Sequence, residues 1–187
     1  MPNPNEWTEI NVPGNWELQG FDIPRYTNVQ YPFQPAEPPF IPADDNPTGC
    51  YRLEFAVPQS WGNRPVHIQF ESVKSCFYLY CNGIEVGFSK DSFVPAEFDL
   101  TPYVVRNGAT NLLAVKVLRW CEGSYLEDQD FWDMSGIQRE VLLYTPSEAY
   151  LSDVRVNASL DSNYANGQLT VSVGIKASSF QSKRKGK

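Results

Sequence analysis

The sequence predicts an all-β protein built as an antiparallel β-sandwich of jelly-roll type. Short runs of alternating apolar and polar residues recur along the chain between turn residues, which is the pattern of half-buried strands. No segment sustains the 3.6-residue apolar period of a helix, apart from one possible turn at residues 101–105. Many short strands joined by turns bury their apolar faces by packing two sheets together.

The N-terminal part of the chain predicts a stiff, irregular loop. Ten of the fifteen prolines fall within the first 47 residues, and seven of them lie in residues 24–47. Proline has no N–H group and cannot donate to a central β-ladder. The aromatic residues between these prolines are Tyr26, Tyr31, Phe33 and Phe40. We expect these rings, rather than sheet pairing, to hold the loop against the sandwich.

Strand patterns begin after Gly49. Residues 51–57 alternate apolar and charged side chains, and Leu53 belongs to the face predicted to be half-buried. Residues 76–81 and 84–88 flank Asn82-Gly83, which predicts a two-residue hairpin because both turn residues tolerate positive φ. The other strands predicted before Pro146 are residues 66–70, 96–100, 111–118 and 139–144.

Beyond Pro146 the pattern predicts two more strands, residues 150–157 and 169–177, with a polar turn at residues 161–167. Two strands cannot bury a core by themselves. We therefore expect residues 1–146 to form one complete domain and residues 147–187 to be the incomplete start of another. The chain ends in a basic tail of Lys183, Arg184, Lys185 and Lys187.

Composition and charge exclude several classes of function. The net charge of -7 argues against a nucleic-acid partner, because phosphate binding draws on clustered Lys and Arg, whereas neutral sugars stay possible. No apolar run is long enough to span a bilayer, so no membrane association is expected. Met1-Pro2-Asn3-Pro4 lacks the basic and apolar pattern of a secretory signal, which predicts a cytoplasmic location.

The cysteines and the single histidine do not indicate a catalytic centre. Cys50, Cys76, Cys81 and Cys121 form no C-x-x-C pair, and we interpret them as structural thiols rather than zinc ligands or disulfides. His67 alternates with apolar neighbours as a strand residue does. A Ser-His-Asp hydrolase is not indicated, because the chain contains no G-x-S-x-G motif to supply the nucleophile.

Residues 121–136 form an irregular stretch that combines carboxylates with aromatic rings. Its charged and aromatic residues are Glu122, Tyr125, Glu127, Asp128, Asp130, Phe131, Trp132 and Asp133. This combination suits a carbohydrate, since acids accept hydrogen bonds from hydroxyl groups and rings cover the C–H faces of a sugar. The alternative is a solvated acidic loop that its rings anchor to the sandwich. From the pattern alone the solvated loop is favoured, because strand connections are usually polar.

Seven motifs in one order carry a family resemblance. The first three are Pro13-Gly14-Asn15-Trp16, Tyr26-Thr27-Asn28-Val29 and Asn46-Pro47-Thr48-Gly49-Cys50-Tyr51. The others are Phe98-Asp99-Leu100, Leu118-Arg119-Trp120, Gly123-Ser124-Tyr125-Leu126-Glu127-Asp128-Gln129-Asp130 and Ser135-Gly136-Ile137. Together they resemble the sugar-binding domain of glycoside hydrolase family 2, as found in bacterial lactose-hydrolysing β-galactosidases.

The resemblance is strong over residues 6–146 and implies a galactose-binding-like jelly roll. The remaining segment is loosely similar to the start of the immunoglobulin-like β-sandwich that follows in the family. Within this family, loops of the sugar-binding domain reach an active site built in a later (β/α)₈ barrel. The resemblance therefore implies that this chain is a fragment of a longer, retaining glycosidase.

The resemblance also implies roles for single residues. Asn28 is expected to hydrogen-bond galactosyl hydroxyls, and Asp130 to accept a hydrogen bond from the sugar and to be one ligand of a sodium ion (Na+). The two catalytic glutamates and the magnesium (Mg2+) site belong to the missing barrel, so no catalytic residue is expected in this chain. Glu127 and Asp128 cannot replace them, because adjacent carboxylates tend to point apart.

The implied partners are a β-galactoside substrate, the missing barrel and immunoglobulin-like domains, and further copies in a homo-oligomer of the parent enzyme. Three alternatives stay open. The first is a stand-alone carbohydrate-binding module. The second is a part of another family 2 glycosidase, such as a β-glucuronidase or β-mannosidase, and the third is a purely structural sandwich that mediates subunit contacts. Loss of sugar affinity after Asp130→Ala would argue against the structural reading.

Overall fold

A computed structural model of the protein describes residues 7–127 and 129–177, and within them it is all-β, as predicted. The strands of the N-terminal half are β1 (Arg25–Thr27), β2 (Thr48–Ala56), β3 (His67–Phe70), β4 (Val73–Lys74), β5 (Cys76–Cys81), β6 (Ile84–Ser89) and β7 (Ala96–Asp99). The others are β8 (Thr110–Leu118), β9 (Phe131–Asp133), β10 (Gly136–Ile137), β11 (Val141–Tyr144), β12 (Ala149–Leu160) and β13 (Gly167–Ala177). The described residues contain no helix with the length and apolar character needed to cross a bilayer.

The chain divides into two compact units. The first contains the described residues up to Gly62 together with Val66–Tyr144, and the second contains Asn63–Pro65 and the described residues from Thr145 onward. In the first unit, a four-stranded sheet has the order β2-β8-β5-β6 and a three-stranded sheet has the order β11-β3-β7. Two small ribbons, β1-β9 and β4-β10, complete it, and all pairings are antiparallel.

The core of the first unit lies between its two larger sheets. Strand β8 buries Val115 and Val117, and β3 buries Ile68 on the facing sheet. The rings of Phe70 and Phe77 meet across the interface with centroids 4.9 Å apart. The alternation predicted from the sequence therefore produces a sandwich, because each strand turns every second side chain toward the opposite sheet.

Strand β2 departs from the prediction at one position. Leu53 is 62% exposed, although the alternation had placed it on a half-buried face with Tyr51 and Phe55. The physical reason is that β2 is the outermost strand of its sheet, so the opposite sheet covers only part of its length. Tyr51 and Phe55 do pack against the core.

The predicted Asn82-Gly83 hairpin is confirmed. It joins β5 to β6, and both residues have positive φ, 51° at Asn82 and 81° at Gly83. The Asn82 amide donates to the carbonyl of Tyr103 and to Oδ1 of Asn111, each at 2.8 Å, while its own oxygen accepts from the N–H of Leu112 at 2.9 Å. The turn is therefore tied to the neighbouring strand β8 as well as to its own two strands.

Aromatic rings hold much of the proline-rich segment, as predicted. Phe33 lies 5.4 Å from Trp120 and 5.2 Å from Tyr125, and these three buried rings form a second apolar cluster. The Tyr125 hydroxyl donates to the carbonyl of Phe40 at 2.6 Å and accepts from the N–H of Glu37 at 3.1 Å. One buried tyrosine thus fixes two points of a loop that has few backbone donors.

The expectation that this segment avoids sheet pairing is wrong over three residues. Arg25–Thr27 forms β1 and pairs with β9, with Tyr26 opposite Trp132. Residues 25–31 contain no proline, so their N–H groups are free to enter a ladder. The ring of Tyr26 is consequently half exposed instead of anchoring the loop.

Three of the sequence motifs converge on Trp16. The N–H of Gly14 donates to the carbonyl of Ile137 at 2.8 Å, and the N–H of Trp16 donates to the carbonyl of Ser135 at 3.1 Å. A Cβ atom at Gly49 would lie 2.3 Å from Cζ3 of the buried Trp16 ring, so only glycine fits there. Part of what the motifs encode is therefore packing of the sandwich.

The cysteines and His67 have the structural positions predicted for them. All four cysteines are free thiols; Cys76, Cys81 and Cys121 are buried, and Cys50 is exposed. His67 lies in β3, where its ring stacks on Tyr144 with centroids 5.5 Å apart and its Nδ1 lies 3.2 Å from Oε1 of Glu97. None of these side chains belongs to the candidate site described below.

The second unit contains the β12-β13 hairpin. Its turn is closed by Asp161, which accepts hydrogen bonds from the N–H of Asn163 and of Ala165. The cross-strand register places apolar residues opposite one another on one face: Leu151, Val154, Val156, Leu160, Leu169, Val171, Val173 and Ile175, each at least 48% exposed. The assignment of this hairpin to an immunoglobulin-like domain stays a prediction, and the basic tail lies outside the described residues.

Candidate functional site

The structure brings Asn28 and Asp130 together at one end of the β1-β9 ribbon. Asn28 directly follows β1, and Asp130 directly precedes β9. Their backbones are linked, because the N–H of Asp130 donates to the carbonyl of Asn28 at 3.3 Å. Two residues far apart in sequence thus face the same exposed surface, and their side chains supply an amide and a carboxylate.

The local backbone turns Asp130 outward. Asp130 has a φ of 56°, a left-handed conformation that aspartate tolerates better than most residues. Its Oδ1 accepts a hydrogen bond from the hydroxyl of Tyr26, the residue two positions before Asn28. Within the described residues, the side-chain amide of Asn28 makes no hydrogen bond. A turn-capping role for that amide therefore has no support, and its donor and acceptor are available to a ligand.

Exposed apolar side chains surround this pair. Tyr26 is 53% exposed, Phe131 53%, Trp132 52% and Val29 91%. The rings of Tyr26 and Trp132 lie 5.6 Å apart and are tilted by 55°. Ring faces beside an amide and a carboxylate suit a sugar, which presents C–H faces and hydroxyl groups together.

A small cavity of about 260 Å³ is lined in part by Asn28, but Asp130 does not contribute to it. Its lining residues are Thr27, Asn28, Val29, Gln30, Tyr31, Pro32, Ser124, Glu127, Gln129 and Asp133. Polar and apolar surfaces are both present in this lining. A larger cavity of about 470 Å³ lies along β2 near Trp16, but neither Asn28 nor Asp130 contributes to it.

The other carboxylates of the acidic stretch are engaged in structural contacts. Glu122 pairs with Lys90, and Glu127 accepts a hydrogen bond of 2.6 Å from the buried hydroxyl of Ser92. Asp133 is buried beneath the ribbon. Asp128 lies outside the described residues. Asp130 is thus the one described carboxylate of this stretch that is exposed at the ribbon end beside Asn28.

A buried arginine supports the ribbon from below. Arg119 is fully buried; it pairs with the carboxylate of Asp22, and its Nη2 lies 3.6 Å from Oε1 of Glu17. The same Nη2 donates to the carbonyl of Asp133 at 3.0 Å. Glu17 in turn accepts from the N–H of Ser135 at 2.9 Å. Burial raises the pKa of Glu17, an effect that the Ser135 N–H and Arg119 oppose.

A second buried ion pair joins β4 to β9. Nζ of Lys74 lies 3.7 Å from Oδ1 of Asp133, and both side chains are buried. Burial lowers the pKa of Lys74 and raises the pKa of Asp133, and each group opposes the shift of the other. The two buried pairs anchor the strand that follows Asp130, so the site sits on a rigid support.

The sodium prediction rests on one described side chain. Within the part of the chain that the structure describes, no three carboxylate, histidine or cysteine side chains come together as metal ligands. Asp130 offers one hard oxygen ligand of the kind that sodium accepts. Its role as a sodium ligand stays a prediction.

Three further side chains lie in or below the site: Trp132 was predicted from the sequence as one of the rings suited to a sugar, whereas Tyr26 was predicted to anchor the loop and Arg119 had no predicted role. Tyr26 and Trp132 flank Asp130, and Arg119 fixes β9. Tyr26 and Arg119 do belong to the motifs Tyr26-Thr27-Asn28-Val29 and Leu118-Arg119-Trp120. The sequence did contain a sign of the role of Arg119. A charged residue stands between apolar residues in Leu118-Arg119-Trp120, and such a residue is buried only when it is paired.

Comparison with known proteins relates this chain to carbohydrate-active enzymes. Residues 3–147 match the family described as "Glycosyl hydrolases family 2, sugar binding domain". A β-galactosidase of Priestia megaterium is 49% identical over 173 residues, which cover 91% of this chain and 16% of that protein. The chain therefore spans about one sixth of the length of such curated relatives.

Solved structures give the same family pattern. A β-glycosidase from Bacteroides vulgatus aligns with a TM-score of 0.63 at 27% identity, over 95% of this chain and 21% of that one. A β-glucuronidase from an uncultured Clostridium species aligns with a TM-score of 0.56 at 31% identity, over 68% of this chain and 24% of that one. Both matched chains are several times longer than the matched segment.

Proposed function

This chain belongs to glycosyl hydrolase family 2, of which it contains the sugar-binding domain, and from that premise we propose that it is part of a retaining β-galactosidase. In this proposal the chain binds terminal β-D-galactosides such as lactose through the ribbon end. The reaction itself takes place on a barrel domain that these residues do not include. The chain alone is therefore inactive.

One observation carries the proposal. Asn28 and Asp130 are the two residues to which the family resemblance assigns sugar contacts, and the β1-β9 ladder joins them on one exposed surface. The matching β-galactosidases are 47–49% identical to the chain, whereas the β-glucuronidase structure is 31% identical, which favours a galactoside over a glucuronide. The exposed rings beside the pair add the apolar surface that a pyranose needs.

Each residue has a chemically distinct task in this proposal. The Asn28 amide donates to one galactosyl hydroxyl and accepts from another. The Asp130 carboxylate accepts from a hydroxyl and supplies one oxygen to a sodium ion. Magnesium belongs to the barrel domain in this proposal.

The family resemblance assigns the catalytic carboxylates to the barrel, and the contacts of the acidic stretch agree with it. Retention needs two carboxyl groups about 5 Å apart on opposite sides of the anomeric carbon. Glu122, Glu127 and Asp133 are each engaged by a lysine or a serine. The ribbon end can bind and orient a sugar, but it cannot act as both acid and nucleophile.

The experiment that tests the proposal is complementation. The purified chain is mixed with the Priestia megaterium β-galactosidase from which the matching segment has been deleted, and hydrolysis of a chromogenic β-galactoside is followed. We expect no hydrolysis by either part alone and hydrolysis by the mixture. Hydrolysis by the chain alone would place the catalytic carboxylates within it and overturn the assignment to the barrel.

Asp130→Ala tests the site within that assay. We expect KM for the galactoside to rise by about tenfold to a hundredfold, because one charge-assisted hydrogen bond to the sugar is lost. The unfolding midpoint of Asp130→Ala should fall slightly, because alanine tolerates the positive φ of this position less well than aspartate. Asp130→Asn keeps a residue that tolerates this φ and removes the charge, so it should raise KM at an unchanged midpoint. Asp153→Ala, on the polar face of β12, is the matched control and should leave KM unchanged.

The alternatives give different results in the complementation assay, in the KM comparison with Asp130→Ala, or in a direct measurement of sugar binding. A stand-alone carbohydrate-binding module binds galactosides without complementing, and isothermal titration of the chain with lactose would detect that binding. A purely structural sandwich complements normally and shows no change in KM after Asp130→Ala. A β-glucuronidase or β-mannosidase fragment would complement a deletion variant of that enzyme in preference to the β-galactosidase.

A further inference from the structure

We propose that Tyr26 is a positioning residue, which holds the Asp130 carboxylate in the orientation that binds the ligand. This inference rests on the proposed function, because it presumes that Asp130 is a ligand-binding group. It assigns to the first residue of the Tyr26-Thr27-Asn28-Val29 motif a task separate from that of Asn28. The phenol acts through the carboxylate and need not touch the sugar.

The hydrogen bond fixes one oxygen and leaves the other available. The Tyr26 hydroxyl donates to Oδ1 of Asp130, and no other described side chain donates to that carboxylate. A carboxylate has about four acceptor positions, so a neutral phenol occupies one of them without cancelling the charge. Oδ2 and the remaining lone pairs of Oδ1 can then accept a sugar hydroxyl or bind a cation.

The phenol of Tyr26 is itself held by its strand and by the ring of Trp132. Tyr26 lies in the middle of β1, directly opposite Trp132 in the register of the ribbon. The two rings are in contact, with centroids 5.6 Å apart. Since β9 is anchored from below by Arg119 and Lys74, the position of the Tyr26 hydroxyl is set by buried parts of the sandwich.

Asp130 needs such a partner because its own surroundings do not restrain it. It lies just outside β9, it is exposed, and its φ is positive. An exposed carboxylate in a turn samples several rotamers, and a ligand that binds one of them loses affinity because the side chain gives up conformational entropy. A hydrogen bond from a fixed phenol orders the carboxylate in the free protein, so that this entropy is not lost on binding.

The electrostatics of the tyrosine agree with this arrangement. The hydrogen bond to Asp130 raises the pKa of Tyr26 above its ordinary value, because loss of the phenolic proton would set two negative charges side by side. Geometry carries the assignment, since the Tyr26 hydroxyl donates to Asp130 and the Tyr26 ring contacts Trp132. That hydrogen bond can be detected on the 187-residue chain without any assay of activity.

The first test is an NMR measurement at the tyrosine rings. The chain is labelled at the tyrosine ring carbons, the Tyr26 signal is assigned by its loss in Tyr26→Phe, and the chemical shift of the carbon that bears the hydroxyl group is compared at one pH in the parent chain and in Asp130→Ala. We expect this Tyr26 signal to shift in Asp130→Ala while the signals of the other tyrosines stay in place, because donation of a hydrogen bond changes the electron density at that carbon. An unchanged Tyr26 signal would show that the hydrogen bond does not form and would overturn the proposal.

The second test is a double-mutant cycle in the complementation assay, with Tyr26→Phe, Asp130→Ala and both together. We expect Tyr26→Phe to raise KM by about threefold to tenfold with kcat unchanged, as loss of uniform binding does. The same change should have no further effect once Asp130 is alanine, because Tyr26 then has no carboxylate to hold. Independent, multiplying effects on KM would overturn the proposal.

Two controls separate the possible failures. Tyr78→Phe removes a hydroxyl from a tyrosine in β5 that packs on Phe88, and it should leave KM unchanged. An equal unfolding midpoint for Tyr26→Phe and the parent chain shows that KM changed for reasons other than stability. If the parent chain fails to complement at all, the proposed function fails, while the NMR measurement still reports whether the Tyr26 hydroxyl donates to Asp130.

Discussion

Gly49 shows how a single residue connects the motifs to the fold. A Cβ at this position would lie 2.3 Å from Cζ3 and 2.6 Å from Cε3 of Trp16. Trp16 is only 4% exposed, so its ring is enclosed by neighbouring side chains. Its backbone N–H also donates to the carbonyl of Ser135, and the ring therefore cannot move aside freely. The glycine of the Thr48-Gly49-Cys50-Tyr51 segment therefore permits the close packing of three motif segments.

We predict that Gly49→Ala lowers the free energy of unfolding by about 1–3 kcal/mol, because a methyl group is forced into a filled space. Urea denaturation followed by tryptophan fluorescence measures the loss. Gly167→Ala is the control, since a Cβ there would meet nothing within 4 Å. Equal shifts of the two midpoints would contradict a steric origin.

Sequence reasoning reached the two site residues by resemblance and not by pattern. Composition alone had favoured a solvated acidic loop, whereas in the structure Glu122 pairs with Lys90 and Glu127 accepts a hydrogen bond from the buried Ser92. What distinguishes Asp130 is its place next to Asn28, which follows from a pairing between distant parts of the chain. No local pattern contains that information, and Tyr26 was taken for a loop anchor for the same reason.

At the scale of elements, the short strand β9 is stabilised by charges instead of apolar contacts. Its side chain at Asp133 is buried against Lys74, and its carbonyl at the same residue accepts from Arg119. Phe131 and Trp132, its other two residues, are more than half exposed. Without the ion pairs below it, the ribbon that presents Asp130 would have little to hold it in place.

We predict that Lys74→Met lowers the free energy of unfolding by about 3 kcal/mol at about pH 8, because it removes the cation nearest the buried Asp133 carboxylate and leaves the weaker attraction of Arg119. Burial already raises the pKa of Asp133, so the folded state favours its protonated form. The stability gained by protonation is present at low pH and is lost as the pH rises through the raised pKa. The defect of Lys74→Met should thus shrink as the pH falls toward about 5.

The double variant Lys74→Met with Asp133→Asn is the control for that prediction. Replacing both charges removes the buried unpaired carboxylate, so most of the lost stability should return and its pH dependence should disappear. Urea denaturation at a series of pH values measures both effects. A defect of the single variant that is independent of pH would show that Asp133 does not carry it.

The elements differ in how well local sequence predicts them. The β5-β6 hairpin was predicted closely, since its strands alternate and its Asn82-Gly83 turn is a local signal. The ribbons β1-β9 and β4-β10 were not predicted at all. Their strands have two or three residues each and join segments that lie far apart in the chain, so periodicity cannot reveal them.

At the scale of the whole chain, the second unit presents an uncovered apolar face. The bulge between Leu151 and Asp153 keeps the apolar side chains of β12 on one side of the hairpin along its length. The opposite face carries polar residues such as Arg155 and Ser172. A continuous exposed apolar surface of this kind favours association with another apolar surface, because association removes it from water.

We predict that the purified chain self-associates through this face. Replacing the cross-strand pair Val156 and Val171 by Glu and Lys should yield a monomer, because opposite charges preserve the pairing while removing the apolar surface. Light scattering after size-exclusion chromatography measures the mass. The control replaces the neighbouring pair on the polar face, Arg155→Glu with Ser172→Lys, and should associate like the parent chain.

We expect the hydrogen bonds of the Asn82-Gly83 turn to slow one route of chemical degradation, the deamidation of Asn82. Asparagine before glycine deamidates when the glycine nitrogen attacks the side-chain carbonyl, which requires the amide to rotate freely. In the fold that amide is held by Tyr103, Asn111 and Leu112. Deamidation should therefore occur mainly in molecules whose turn has locally unfolded. The aspartate that it forms would place a carboxylate against the carbonyl oxygen of Tyr103, where the two oxygens repel each other and the turn is less stable.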